Sequence, residues 1–319
     1  MKKEFLFKNL IEALNDRIPQ RGKLADTLTE LLGIEKEAVY RRLRGSVPFS
    51  FMEVHAIAAH MGFTLDSIAG SISPVNRHMT VLSNFPDQHE NDYKMLEDFC
   101  INIYRLKEDP NSESGAIGNI IPTTLCVSYD YIYRFYLFKY LHQLGNQQKP
   151  KSYTKTKIPD YLTQTNKVFV EGIQNSPKSV YILDRQLIKY FVNDVLFLYD
   201  IRLITKEEIL LVKEDLHLLI DDLERYTING HFDTGNRLEI FLANVHIDAN
   251  YNYIDSTLYK LSMMRTFTFV DSYSFDEVVF QNMKSWVNFL KRTSTLISEG
   301  NITERIRFFE DQRGFIELL

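Results

Sequence analysis

The chain has 319 residues, 45% of them hydrophobic and 25% charged, with a net charge of −5. That length leaves room for two or three domains, and the mildly acidic balance excludes a protein that coats nucleic acid over its whole surface. Cys100 and Cys126 form no CxxC and suggest neither a disulfide framework nor a zinc site, and no run of about 18 uncharged apolar residues supplies a membrane span. The opening MKKEFLFKNLIEALNDR has its apolar residues broken by Lys8, Asn9 and Glu12 and is followed by no small-residue cleavage site. A cytoplasmic protein is expected.

Phe5, Leu6, Leu10, Ala13, Leu14 and Arg17 suit an amphipathic first helix that ends before Pro19 and Gly22. Leu24, Leu28, Leu31 and Leu32 make the inner face of a second helix, stopped by Gly33. Ala38, Val39 and Leu43 form the inner stripe of a short basic third helix closed by Gly45. Ser50 and Glu53 have the spacing of a capping box. It opens a fourth helix with Phe51, Val54, Ile57, Ala58 and Met61 inside. Thr64, Leu65 and Ile68 suit a short fifth. Pro74, Pro86 and many Ser, Asn and Asp residues mark Gly70–Asn91 as a linker. The expected divisions are 1–70, 71–91 and 92–319.

Beyond the linker a helix is expected over Asp92–Lys107, and the run DPNSESGAIGN from Asp109 is expected to be a loop. Thr124–Leu144 alternates like a strand at Tyr129, Tyr131, Tyr133 and Phe135, but its length favours a helix. GNQQKPKSYTKTKIPD, from Gly145, has the composition of a loop, and Gln186–Leu203 suits a helix. Thr205 and Glu208 form a second capping box. The helix after it carries Ile209, Val212, Leu216, Leu219, Leu223 and Tyr226 at heptad a/d steps. That seam faces either a second copy or the domain's own core. Arg237–Asp271 is rich in aromatic and β-branched residues and suggests two to four strands. Ser274 with Glu277 and Asn301 with Glu304 are expected to cap the last two helices, the first of them running to Glu299.

Leu28–Gly45 reads LTELLGIEKEAVYRRLRG. A helix stopped by glycine, a short turn and a helix bearing Lys36, Arg41, Arg42 and Arg44 form a helix-turn-helix, whose second helix enters the DNA major groove. The first 70 residues resemble the lambda-repressor-like, or XRE/Cro-type, family. Its second helix typically reads L-A-x-x-L-G-I, and Leu28, Thr29, Leu32, Gly33 and Ile34 stand in those places. Its recognition helix typically reads x-x-x-V-x-x-x-x-x-G, matched by Lys36 to Gly45. Its S-L-D-E-L-like close is matched by Thr64, Leu65, Asp66, Ser67 and Ile68. The sequence departs from the family in having Ala25 near the place of an early glutamine and Glu35 where Ser or Thr usually caps the recognition helix.

The resemblance implies a sequence-specific DNA-binding regulator. By the family's geometry Lys36, Glu37, Tyr40 and Arg41 look into the groove, with Arg41 placed to grip a guanine edge. Arg42, Arg44, Arg21 and Lys23 are placed for phosphates. Residues 1–70 hold ten Lys/Arg and nine Asp/Glu, a balance of +1, so useful affinity calls for a homodimer. The alternative is a protein-interaction module whose helix-turn-helix no longer binds DNA.

No other chemistry stands out. The eight histidines form no HExxH spacing, no nucleophile or phosphate-loop motif occurs, and no cofactor, metal or enzymatic activity is expected. His231 and Asp233 in NGHFDTGN suit a loop better than a catalytic site. The aromatic run Tyr129–Tyr140 suits core packing better than a ligand pocket. The expected whole is mainly α, with a five-helix DNA-binding domain and a larger, mostly helical α+β domain carrying a small antiparallel sheet. The expected partners are double-stranded DNA, a second copy and an unidentified small-molecule or peptide effector, with no membrane.

Overall fold

The computed structural model describes residues 2–61, 63, 65, 68, 80–83, 100, 103–143, 150, 152–268 and 270–319. The chain divides into two units, Met1–His78 and Met79–Leu319.

The first unit contains helices α1 (Lys2–Arg17), α2 (Arg21–Leu32), α3 (Lys36–Leu43) and α4 (Phe51–Met61), and Leu65 and Ile68 are also helical. Leu10, Leu14, Leu24, Ala25, Leu28, Val39, Leu43, Ile57, Ala58 and Ile68 form one core. Helical spacing puts these residues on the inner faces, as expected. Phe51, expected inside, is 72% exposed, and Phe5 and Leu6 of the amphipathic first helix are exposed too. Phe51 starts α4 and leaves the core to Ile57 and Ala58, a turn or more further on. Thr64, Asp66 and Ser67 of the family-like close lie outside the described residues. Polar bonds tie the middle and the C-terminal end of α1 to the rest of the unit: Asn9 Nδ2 donates to Ile68 O (2.9 Å) and Arg17 Nε to Met61 O (2.7 Å).

The second unit is built on an eight-stranded sheet of order β1-β7-β6-β5-β2-β3-β4-β8. The strands are β1 (Thr80–Ser83), β2 (Glu113–Gly118), β3 (Lys178–Leu183), β4 (Arg237–Leu242), β5 (Tyr251–Asp255), β6 (Lys260–Phe267), β7 (Val270–Ser274) and β8 (Thr295–Leu296). The larger α+β domain is as expected. Its antiparallel part, β1-β7-β6-β5, continues into three parallel strands, β2-β3-β4, so the sheet is mixed and larger than the sequence suggests.

Parallel neighbours need long crossovers, usually helical. Here α5 (Thr123–Cys126), α6 (Asp130–Gln143) and α7 (Asp160–Gln174) join β2 to β3. Helices α8 (Leu187–Asp200) and α9 (Lys206–Asn229) join β3 to β4. Two more helices, α10 (Glu277–Thr293) and α11 (Ile302–Ile316), follow the antiparallel strands.

Both faces of the sheet are covered. Ala116, Tyr181, Leu183, Leu238, Ile240 and Leu242 pack under α6, α8, α9 and α11. Ile117, Val180, Ile182, Phe241 and Tyr253 pack under α10. The aromatic run lies in α6, where Tyr133, Phe135, Tyr136, Phe138 and Tyr140 are buried. The heptad seam of α9 is buried in the same core, so it faces its own domain and is no interface between copies.

Several local expectations change. Of the segment from Asp109, residues 109–112 form a turn as expected, but Glu113–Gly118 is strand β2. Its glycines are required by packing: a Cβ on Gly115 would sit 2.0 Å from Tyr253 Cε1, and one on Gly118 1.9 Å from Asn250 Oδ1. The capping box at Thr205–Glu208 is present. However, α10 is capped by Asp276, whose carboxylate accepts from Val278 N and Val279 N, and Ser274 ends β7. Helix α10 stops at Thr293, where β8 follows. Asn301 makes no side-chain cap, and its amide donates to Leu296 O. Strand β1 lies within the expected linker. Of the helix expected at Asp92–Lys107, Cys100, Ile103 and Tyr104 are helical and Arg105–Glu108 is a 3-10 turn. Among the described residues no helix is long and apolar enough to cross a membrane.

Candidate nucleic-acid interface

Helix α2 ends where Gly33 takes φ +63° and its N–H bonds back to Thr29 O. A left-handed residue at this point favours glycine, and three residues later α3 begins. Val39 and Leu43 anchor α3 to the core. Their spacing turns Lys36, Glu37 and Arg41 to solvent, all three exposed. Tyr40 is half-buried, with its ring packed against the core.

Three of the six candidate cations are paired within the unit. Lys36 meets Asp26 on α2, which holds its ammonium pKa above the ordinary value. Arg44 Nη2 lies 2.8 Å from Glu37 Oε1. Both pairs are solvent-exposed and contribute little to stability. Arg42 differs. Its Nε and Nη2 reach the two oxygens of Glu53 at 3.2 and 2.9 Å, with the side chains only 19% and 16% exposed. Glu53 Oε2 also accepts Ser50 N (2.7 Å), and Ser50 Oγ accepts Glu53 N (3.2 Å), completing the expected capping box. Burial raises the Glu53 carboxyl, but Arg42 and Ser50 override it and hold it below its ordinary value.

The remaining cations, Arg21, Lys23 and Arg41, are exposed and have no side-chain partner among the described residues. Arg21 and Lys23 lie in the first turn of α2, where Gln20 provides no side-chain cap. Glu35 likewise leaves the first turn of α3 without one. Two helix N-termini thus present unbonded N–H groups to solvent, an arrangement suited to phosphate oxygens.

Apart from Tyr40, which packs against the core, the expected site residues fall into two sets. Arg41, Arg21 and Lys23 are available. Lys36, Glu37, Arg42 and Arg44 are held in ion pairs, one of them half-buried. Sequence spacing did not single out Asp26, which stands ten positions from Lys36 on another helix. Glu53 was visible only as a helix cap.

In the second unit His231 and Asp233 make no catalytic pair. Asp233 binds Arg225 and accepts Tyr226 Oη at 3.2 Å, and the His231 ring bonds a backbone carbonyl. Cys126 is buried, and its thiol is pushed up to about 12 by desolvation.

Residues 2–79 match the model of the BetR domain, a regulatory domain that contains a helix-turn-helix. The match ends within a residue of the boundary between the two units. The chain matches no curated protein and no solved structure.

Proposed function

We propose that the protein is a sequence-specific DNA-binding transcriptional regulator of XRE type, acting as a homodimer and carrying no enzymatic activity. The observation that supports this best is α3 itself. It is a short helix seated by Val39 and Leu43 after a left-handed glycine, with Arg41 exposed on its outer face and without a side-chain partner among the described residues. Arg41 is the residue assigned to a base edge, since a bidentate guanidinium–guanine contact needs a free fork. Arg21, Lys23 and the uncapped starts of α2 and α3 hold phosphates. Lys36 and Arg44 exchange their surface carboxylates for phosphate when DNA arrives, at little cost. Arg42 is reassigned: it positions α3 against α4 through Glu53.

Asp26 and Glu37 on the same surface oppose nonspecific attraction, so two copies reading two half-sites supply the affinity. The second unit holds the copies together and senses an effector. Gel-shift titration on the DNA upstream of the protein's own gene tests the proposal. Wild type is expected to shift it and Arg41→Ala to need ~30-fold more protein, whereas no shift of wild type at low salt refutes it.

One observation favours a protein-interaction module instead. Phe51 and Met52 are adjacent at the start of α4 and 72% and 71% exposed, an unusual apolar pair beside the recognition helix. Loss of DNA binding in Arg41→Ala but not in a Phe51→Ser, Met52→Ser variant separates the two.

A further inference from the structure

Between α6 and α7 the second unit has a cavity of about 340 Å³, at the small end of the range that ligand sites span. It plays no part in the DNA reading and does not depend on it. Val127 and Val170 give it apolar walls. The hydroxyl of Tyr133 is turned to Asn166, and burial raises that phenol to about 12 despite the amide, so it stays a neutral donor at physiological pH.

The charges of the cavity are unequal in status. Asp130 is taken up by Arg134, at 2.5 Å. Lys167 and Glu171 also line the cavity, one turn apart on α7, yet they form no ion pair with each other and have no partner among the described residues. A lysine one turn before a glutamate is the weaker order for helix pairing, which leaves both charges available. A small space with apolar walls and, among the described residues, one unpaired cation and one unpaired anion selects a molecule that carries both charges close together.

We propose that this cleft binds a small zwitterion of the size of an α-amino acid, with Lys167 taking its carboxylate and Glu171 its ammonium. Its apolar part lies against Val127 and Val170.

The test is thermal unfolding of the full chain, followed by the fluorescence of Trp286, in the presence of each common α-amino acid at ~10 mM. At least one is expected to raise Tm by ~2 °C or more. The amine and the carboxylic acid bearing the same side chain, tried separately, are expected to give no rise. Lys167→Met and Glu171→Gln, both on the surface of α7, are each expected to weaken binding ~tenfold. No rise with any amino acid overturns the proposal. So does an equal rise with a plain carboxylic acid or amine, or one that persists in the folded double variant.

Discussion

Glu53 closes the first turn of α4 and, with the same carboxylate, grips Arg42 of α3 through both Nε and Nη2. A cap and a half-buried ion pair share one side chain, so the orientation of α3 depends on a residue that lies outside it. Removing one partner of a buried pair costs more than the pair contributes, because the other charge is left desolvated.

Glu53→Ala is therefore expected to destabilise the first unit by about 2 kcal/mol, combining a lost cap with a stranded Arg42. The exchange Arg42→Glu with Glu53→Arg is expected not to restore it, because arginine cannot accept the Ser50 N–H. The chain's only tryptophan, Trp286, reports on the other unit, so denaturation should be followed by far-ultraviolet circular dichroism. Full recovery in the exchanged pair would mean that only the ion pair mattered.

Arg41→Ala is expected to cost ~2 kcal/mol of specific DNA binding without loss of fold, since Arg41 is exposed and has no side-chain partner among the described residues. Arg21→Ala and Lys23→Ala are expected to weaken all DNA sequences alike and to reduce the salt dependence by about one unit of slope each. Titrations of a specific and a scrambled duplex at several salt concentrations distinguish the two classes.

Gly115→Ala is expected to cost about 3 kcal/mol, because the added methyl meets the buried Tyr253 ring within the sheet. In combination with Tyr253→Ala the two losses are expected to be less than additive. Urea denaturation monitored at Trp286 measures all three variants.

The acid limb of stability is expected to depend on Glu113. Burial raises this carboxyl, but Lys178, Lys284 and the Tyr253 hydroxyl hold it at about 2. A folded value below the ordinary one means that its contribution is complete above pH ~5 and is lost as pH falls towards ~2. Glu113→Gln should flatten stability across that window without abolishing its slope. Asp109, held at about 2 chiefly by Thr257 N–H and by Ser256, titrates there too. An unchanged acid limb in Glu113→Gln would show that the ion pairs do not persist in solution.

Leu216→Lys is expected to unfold the second unit, because Leu216 lies in its core. A folded, monomeric product in light scattering would restore the seam of α9 as an interface between copies.

The first unit was legible because its signals are local. Gly33, Val39, Leu43 and the Ser50–Glu53 box each act within a turn or two of helix. The parallel part of the sheet was not. In β2, Gly115 and Gly118 imitate a loop, and the reason they are glycines stands more than a hundred positions away, in Tyr253 and Asn250. The heptad in α9 was correctly found, but periodicity states only that a face is buried and leaves open what buries it. At the candidate interface the cations were found and their partners were not. Whether a charge is free depends on residues such as Asp26, brought alongside by folding.

The most direct test is selection of binding sites from a random duplex library with the full-length protein at low salt. Enrichment of a two-fold symmetric motif, with half-sites about one DNA turn apart and guanine preference lost in Arg41→Ala, is the expected result. A library that stays random, or a motif that survives Arg41→Ala unchanged, would contradict the assignment of α3 as the element that reads DNA.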